Sequence, residues 1–295
     1  MAMDMIENKK HQRKIFTGSC CENNFVIVDS FGDKMDRQSR VEFAKRNIVK
    51  YGVDSALFLS KSNGLDLFME VFEKDGSESD SCGNGVIVTS NLLDINNGIV
   101  EMKGNVALIS NGSEKLGMSM NVKLSSIRKL GEKCMFVKIG EPHIIYLVDD
   151  IYKFDLLKVG EEAQEKYYNG VNVDVIQRIN DNCYLIKTYE RGVFRETKSC
   201  GTGSLSSYIA ISYFNNGLSS VQIEFRSAGG SHWISRDKNM LKLEVLKESC
   251  EFKEIMQFNV DEVNFNIPIP NYLNRFIVSP FKKVLLKAHS ILIKN

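Results

Sequence analysis

The sequence lacks three features that would assign it to common functional classes: a long apolar run, an excess of one charge, and a signal peptide. No apolar run approaches the roughly 20 residues of a membrane-spanning helix, and acidic residues lie near the start, where a signal peptide is apolar. The 38 Lys and Arg residues are balanced by 37 Asp and Glu, whereas broad nucleic-acid binding needs a clustered excess of positive charge. We therefore expect a cytoplasmic protein with no membrane span and no nucleic-acid partner.

Cysteine and histidine are present, but not at the spacings of a disulfide framework or a metal site. Seven cysteines, an odd number, are spread through a chain without an export signal, which predicts free thiols. No CxxC pair occurs, and the four histidines are scattered, so the sequence has no zinc or iron–sulfur spacing. We expect neither a metal nor a cofactor.

The pattern of apolar residues predicts an α+β protein with few helices. Its 295 residues, 43% of them hydrophobic, are enough for about two domains. Short alternating segments separated by Asp-Gly and Asn-Gly turns predict mostly antiparallel strands, with examples at 25–28, 56–59, 67–72 and 135–139. Helical periodicity is found at 37–50, at about 84–94 and at about 203–215.

The last part of the chain, residues 263–295, differs from the body. It holds three of the four prolines and five Lys or Arg residues without an acid, and its apolar residues have helix-like spacing. Two interpretations stand. One is a linker followed by a basic helix that packs on the body, and the other is a helix that binds a membrane surface or a partner.

One short motif occurs twice and indicates an internal repeat. SCGNG at 81–85 returns as SCGTG at 199–203, and each copy follows a polar, Glu-containing stretch and begins a predicted helix. We therefore predict two related domains, at 12–125 and 126–262, with the basic tail at 263–295.

A Cys-Gly-x-Gly turn at a helix start has a definite chemistry. It places a thiol beside unpaired backbone N–H groups and the positive end of the helix dipole, which predicts a lowered thiol pKa. The glycines let a carboxylate approach those N–H groups closely. A single copy is also compatible with a tight turn around an inert cysteine. Two copies facing each other predict a two-base site, in which one thiolate removes a proton from a carbon and one thiol returns a proton to the opposite face.

Eight short motifs follow one another over roughly residues 13–250 and include both cysteines. They are NNFVIVD (23–29), GVD (52–54), DGSE with CGNG (75–85), GEPH (140–143), VN (171–172), YERG (189–192), ETKSCGTG (196–203) and AGGS (228–231). In these motifs and in their order, the chain resembles diaminopimelate epimerase, a family of cofactor-independent two-cysteine enzymes.

The resemblance implies a fold and a set of site residues. Each of two pseudo-symmetric domains would be a curled, mostly antiparallel sheet around a central helix, with the cleft between them, and Cys82 and Cys200 would be the acid/base pair. The carboxylate at the reacting centre would meet backbone N–H groups of Gly83, Asn84, Gly201 and Thr202. Residues along the cleft and at the far end of the substrate would be Asn23, His143, Asn172, Glu190 and Arg191.

Some implied roles have structural alternatives. His143 is equally compatible with a packed histidine beside Pro142, and Glu190 with Arg191 is compatible with a surface ion pair. The family also implies a small-molecule amino-acid substrate, a place in lysine biosynthesis and a possible homodimer.

The departures from the family pattern concern the far end of the substrate. Glu73 and Glu141 stand where the family has asparagines that hold the distal carboxylate, and Ser55 replaces a glutamine found in several members. Like charges in a low-dielectric cleft are costly. We therefore weigh two substrates: diaminopimelate, with both glutamates turned away or paired with lysine, and a cationic amino acid such as lysine, ornithine, arginine or histidine. A third interpretation, from the altered loop at 20–24, is a binding protein without turnover.

Overall fold

A computed structural model of the chain describes residues 12–31, 35–122, 127–215 and 221–259. The described residues form one mixed sheet of eighteen strands with four α-helices, which confirms the α+β class. The predicted tail at 263–295, with both interpretations of it, lies outside the described residues, as do the ends of the two predicted domains at 125–126 and 262.

The first half of the described chain contains eight strands and two helices. The strands are β1 (Gln12–Cys20), β2 (Asn23–Asp29), β3 (Ser55–Ser60), β4 (Leu67–Glu73), β5 (Glu78–Ser79), β6 (Asn97–Met102), β7 (Asn105–Ser110) and β8 (Lys115–Asn121). The helices are α1 (Arg37–Tyr51), between β2 and β3, and α2 (Gly83–Leu92), between β5 and β6.

The second half of the described chain contains ten strands and two helices. The strands are β9 (Ile127–Gly131), β10 (Cys134–Ile139), β11 (Glu141–Val148), β12 (Asn172–Asn180), β13 (Cys183–Glu190), β14 (Arg195–Thr197), β15 (Ile223–Ser227), β16 (Gly230–Asp237), β17 (Met240–Leu246) and β18 (Cys250–Asn259). The helices are α3 (Leu156–Lys166), between β11 and β12, and α4 (Gly201–Phe214), between β14 and β15.

Strand pairing repeats between the halves. β1 and β2 are antiparallel, β2 and β3 parallel, β3 and β4 antiparallel, and β4 and β6 parallel. The same sequence of orientations joins β10 to β11, β12, β13 and β15. The halves are linked because β18 pairs with β1 and β17 pairs with β8. The duplicated motif therefore belongs to a duplicated fold.

α2 and α4 are the central helices of the two halves. All residues from Gly83 to Ser90 and from Gly201 to Ser212 are buried. Apolar and small residues occupy every face of both helices, which is the composition of a helix enclosed on all sides. α2 contacts β1, β8 and β18, and α4 contacts β10, β11 and β16. The three predicted helices are confirmed within a few residues at each end.

Helix α3 was not predicted. Its buried residues, Leu156, Gly160 and Ala163, follow the i, i+4, i+7 spacing of a helix, and Asp155 caps its start, so the sequence carried a helical signal that the prediction missed. Position 160 requires a glycine, because an added Cβ would lie 2.4 Å from Cγ of Tyr189. α3 packs on a hydrophobic cluster formed with strands β11, β12 and β13. None of the helices in the described residues is long and apolar enough to cross a membrane.

Candidate active site

Cys82 and Cys200 occupy equivalent positions, as the N-caps of α2 and α4. Cys82 Sγ accepts a hydrogen bond from the Gly85 N–H at 3.3 Å, and Cys200 Sγ accepts one from the Gly203 N–H at 3.4 Å. Both cysteines have an extended backbone, as N-cap residues do, so the sulfur replaces the usual hydroxyl or carboxylate oxygen of a helix cap. Each thiol is thereby fixed beside the free N–H groups of its helix.

The two helix starts meet each other. A Cβ added at Gly83 would lie 3.6 Å from Cα of Gly201, and a Cβ added at Gly201 would lie 3.2 Å from the backbone N of Asn84. Glycine at both positions therefore permits the close approach. The positive ends of both helix dipoles converge on one place, which suits a single anion.

This junction borders a narrow cavity. Every predicted site residue lines it except Asn84 and His143, and Ser55, Ser79 and Ser81 line it as well. The lining residues are Asn23, Ser55, Glu73, Ser79, Ser81, Cys82, Gly83, Glu141, Asn172, Glu190, Arg191, Cys200, Gly201 and Thr202. The two cysteine motifs thus share one cavity with Ser55, Glu73 and Glu141, the residues that depart from the family pattern at the far end of the substrate.

Asn84 and His143 lie behind the cavity wall. The Asn84 amide donates to Ser199 Oγ at 2.9 Å. His143 is fully buried, with Nδ1 at 2.6 Å from Asp174 Oδ2 and Nε2 at 3.0 Å from Thr202 Oγ1. His143 does not line the cavity, but its Nε2 contacts two residues that do, Thr202 and Asn172, and the Thr202 hydroxyl lies 3.5 Å from Cys200 Sγ.

Burial raises the pKa of both cavity thiols well above the usual value of a cysteine. Nearby carboxylates add to this, since the Glu190 charge raises the pKa of Cys82 and of Cys200. The helix N–H groups lower the pKa, but by less than the desolvation raises it. The prediction of a lowered thiol pKa from the Cys-Gly-x-Gly turn is therefore wrong, because for both sulfurs burial outweighs the helix N-terminus.

Glu141 and Arg191 form an ion pair at one side of the cavity. Nε of Arg191 donates to Glu141 Oε2 at 2.8 Å, and Nη2 donates to the same oxygen. The other oxygen, Oε1, accepts from the Ser81 N–H at 3.0 Å and from the Asp80 N–H. Glu141 thus faces the cavity, and its partner is an arginine rather than a lysine.

Glu73 and Glu190 are the other two carboxylates of the cavity. Ser55 donates to Glu73 Oε2 at 2.8 Å from the neighbouring strand, and Ser79 donates to Oε1 at 2.6 Å. Thr197 donates to Glu190. Burial raises the pKa of Glu73 to about 7 and that of Glu190 to about 8. Among the described contacts, Arg191 pairs with Glu141 and Glu190 accepts from Thr197, so the surface ion pair between Glu190 and Arg191 is not formed.

Asp54 and Asp174 support the site and were not among the predicted site residues. Asp54 accepts from the Asn23 amide at 3.2 Å and pairs with Arg195. Asp174 accepts from Thr188 at 2.6 Å in addition to its contact with His143. Asp54 belongs to the GVD motif, and Asp174 is a buried acid between valines of β12, so each carried a signal in the sequence.

A larger hollow opens on the other side of Arg191, which lines both spaces. The other cations of this outer hollow are Lys103 and Lys138. Lys138 Nζ lies 3.0 Å from Asp80, and Lys103 Nζ lies 3.7 Å from Glu78. Within the described residues, each cationic side chain that lines the two spaces thus forms an ion pair with a carboxylate.

Comparison with curated proteins finds relatives over most of the chain. The chain is 31% identical to the diaminopimelate epimerase of Methanocella arvoryzae over 243 residues, which cover 72% of this chain and 86% of that protein. It is 28% identical to the diaminopimelate epimerase of Thermotoga maritima, over 75% of this chain and 93% of that protein. No family model matches the chain.

Solved structures resemble the fold at much lower identity. A phenazine biosynthesis protein of the PhzF family from Bacillus anthracis superposes with a TM-score of 0.61 at 13% identity, covering 84% of this chain and 98% of that one. A hydroxyproline epimerase from Agrobacterium vitis, solved with trans-4-hydroxy-L-proline, gives 0.56 at 12% identity, covering 84% and 94%. These similarities concern the fold alone.

Proposed function

Because the chain belongs to the diaminopimelate epimerase family, we propose that it inverts the α-carbon of an amino acid by proton transfer between Cys82 and Cys200. The class of enzyme, an isomerase of the epimerase and racemase type, follows from the family. The observation that carries the two-thiol proposal is the meeting of two cysteine-capped helix N-termini at one cavity.

The proposed step moves protons only. The substrate carboxylate lies at the convergent helix starts, whose N–H groups stabilise the negative charge that develops on it. One sulfur, as thiolate, takes the α-proton and the electron pair of the C–H bond is delocalised into the carboxylate. The second sulfur, as thiol, gives its proton to the opposite face of the carbon. The two thiols exchange roles, and no bond other than C–H and S–H changes.

Because burial raises the pKa of both thiols, the proposed step requires that the substrate help to form the thiolate. An amino acid brings an α-ammonium group into a low-dielectric space, where a positive charge nearby stabilises a thiolate. Substrate binding would therefore lower the pKa of the sulfur that faces the α-carbon.

The substrate of the relatives makes L,L-diaminopimelate the nominal substrate, with the meso isomer as product. A second candidate, a racemase of a cationic amino acid, is favoured by the Glu141–Arg191 ion pair. A binding protein that has lost turnover is the remaining alternative. A reducing, cytoplasmic setting, a role in lysine biosynthesis and homodimerisation belong to the proposal as predictions.

Exchange of the α-proton with solvent tests the proposed function. Reduced protein is incubated with each amino acid in deuterated water, and the α-proton signal is followed by NMR. We expect loss of that signal together with loss of optical purity, both dependent on Cys82 and Cys200. Binding of a ligand without any exchange would contradict the proposal and support the binding protein.

A further inference from the structure

The charge of the cavity is unusual for a site that would receive two carboxylates. Its lining contains three carboxylate side chains, Glu73, Glu141 and Glu190, and a single cationic one, Arg191, among the described residues. The helix N-termini at Gly83 and Gly201 provide one anion site, which the reacting carboxylate would fill under the proposed function. A second carboxylate would need a cation elsewhere.

Arg191 is already paired with Glu141 and is therefore not available to bind a second carboxylate. Two of its nitrogens donate to one Glu141 oxygen, and Nη1 donates to the Asn169 carbonyl at 3.2 Å. Glu141 is itself anchored by the backbone N–H groups of Asp80 and Ser81, so the pair is fixed from both sides. A substrate carboxylate at Arg191 would lie beside the Glu141 charge, which is unfavourable in a buried site.

Glu73 is bonded to neutral hydroxyl groups, whereas Glu141 is paired with a cation. Its side chain is 6% exposed, each of its oxygens accepts one serine hydroxyl, and it packs against Gly192, whose added Cβ would lie 2.8 Å from Glu73 Cβ. Serine hydroxyls leave the negative charge of the carboxylate uncompensated, unlike an arginine. An ammonium or guanidinium in the cavity supplies that charge and replaces the solvation that Glu73 has lost.

We propose that Glu141 locks Arg191 against a distal carboxylate and that Glu73 receives a distal cation, so that the substrate is an amino acid with one carboxylate and a basic side chain. This inference rests on the proposed two-thiol function. It assigns specificity to two glutamates rather than to the cysteines. The reaction itself, transfer of the α-proton, stays the same.

A series of amino acids of matched length tests the distal charge. L-Lysine carries an ammonium, L-norleucine ends in a methyl group, and L-2-aminoadipate ends in a carboxylate. Alongside L,L-diaminopimelate, L-ornithine, L-arginine and L-histidine, each is incubated with reduced enzyme in deuterated water. We expect kcat/KM for exchange to be at least 10-fold higher for one or more basic amino acids than for norleucine, and lowest for 2-aminoadipate and diaminopimelate.

Two variants test the residues. Glu73→Gln keeps the size of the side chain and both serine contacts but removes the charge, and we expect it to lower kcat/KM for the preferred basic substrate roughly 10- to 100-fold. In Glu141→Gln the amide oxygen still accepts from Asp80 and Ser81, while the amide nitrogen faces Arg191 and cannot accept. The freed arginine should raise exchange on 2-aminoadipate and diaminopimelate about 10-fold relative to lysine. Glu132→Gln, in the exposed turn between β9 and β10, is the matched control.

The outcomes separate the inference from the proposed function. Exchange on diaminopimelate or 2-aminoadipate in preference to the basic amino acids, or equal exchange on lysine and norleucine, would overturn the inference and leave the two-thiol function intact. Exchange that persists in the cysteine variants, or the absence of α-proton exchange on every amino acid of the series, would overturn the proposed function and the inference with it. Folding of the variants is checked by their thermal unfolding.

Discussion

Gly83 and Gly201 lie in contact at the junction of the two halves, where a Cβ on Gly83 would be 3.6 Å from Cα of Gly201. Each follows the cysteine that caps its helix, so the contact brings both thiols and both helix N-termini to one cavity. A single half of the fold would hold one thiol and one anion site. The duplication supplies the second face that inversion of a carbon needs.

Replacement of either cavity cysteine should abolish turnover and preserve the fold. Serine is a good N-cap, so Cys82→Ser and Cys200→Ser keep the helix starts, but a hydroxyl is a far weaker acid than a thiol. We expect racemisation to fall by roughly 10²- to 10⁴-fold, with an unchanged unfolding temperature. Polarimetry and NMR exchange measure the loss. Cys134→Ser, on β10 and outside the cavity, is the control, and wild-type turnover in either cavity variant would sink the two-thiol scheme.

Gly140 lies in the turn between β10 and β11, directly before Glu141, and the backbone conformation of that turn requires a glycine. Its φ is +68°, and an added Cβ would lie 2.7 Å from Cβ of Ser81. Gly140→Ala therefore meets both backbone strain and a clash, and we expect it to lower the free energy of unfolding by about 2–4 kcal/mol. Gly104→Ala has a similar φ of +70° with no atom within 4 Å of the new Cβ, so strain alone should cost about 1 kcal/mol. Chemical denaturation compares them, and equal losses would contradict the role of Ser81.

Much of this arrangement could be predicted because its signals are local. The two Cys-Gly-x-Gly turns mark helix starts, and their duplication indicated the repeated fold before any contact was known. The segments at 25–28, 56–59, 67–72 and 135–139 are short and mostly apolar, and each lies within an observed strand. Helix α3 carried a local signal as well, namely the cap Asp155 and the helical spacing of Leu156, Gly160 and Ala163, and it was missed although it could have been predicted.

The electrostatics could not be predicted because they depend on long-range packing. Arg191 and Glu141 are 50 residues apart in sequence, and Glu141 also bonds to the backbone at Ser81, 60 residues away. A motif shows that a thiol sits at a helix start, but the balance between helix dipole and desolvation is set by how deeply the cavity is enclosed. For Cys82 and Cys200 the enclosure dominates.

Protein stability should fall as the pH rises from 5 to 8.5. The pKa of Glu73 is raised to about 7 in the folded protein, and that of Glu190 to about 8, both by burial. Between the unfolded pKa and these values the folded state binds more protons than the unfolded state, so the free energy of unfolding decreases with pH. For Glu73 the loss is on the order of 3 kcal/mol.

The matched variants isolate that effect. Glu73→Gln and Glu190→Gln carry no titrating group, so each should flatten the pH dependence of the unfolding free energy and be more stable than the wild type at pH 8.5. Denaturant titrations at pH 5, 7 and 8.5 measure the slope. A wild-type slope that the variants reproduce would show that other groups cause it.

Alkylation of the cavity thiols should be slow at neutral pH. Burial is the main cause that raises the pKa of Cys82 and of Cys200; nearby carboxylates raise it further, Glu73 before Glu190 for Cys82 and Glu190 for Cys200, and only the thiolate reacts with iodoacetamide. Labelling of both peptides should therefore keep rising with pH beyond pH 9, and Glu190→Gln should accelerate it at pH 8. Peptide mass spectrometry follows each cysteine separately, with Cys134 as the internal control outside the cavity. Maximal labelling of Cys82 and Cys200 already at pH 7 in the wild type would mean that the helix dipoles outweigh the enclosure, and that the thiolate exists before the substrate binds.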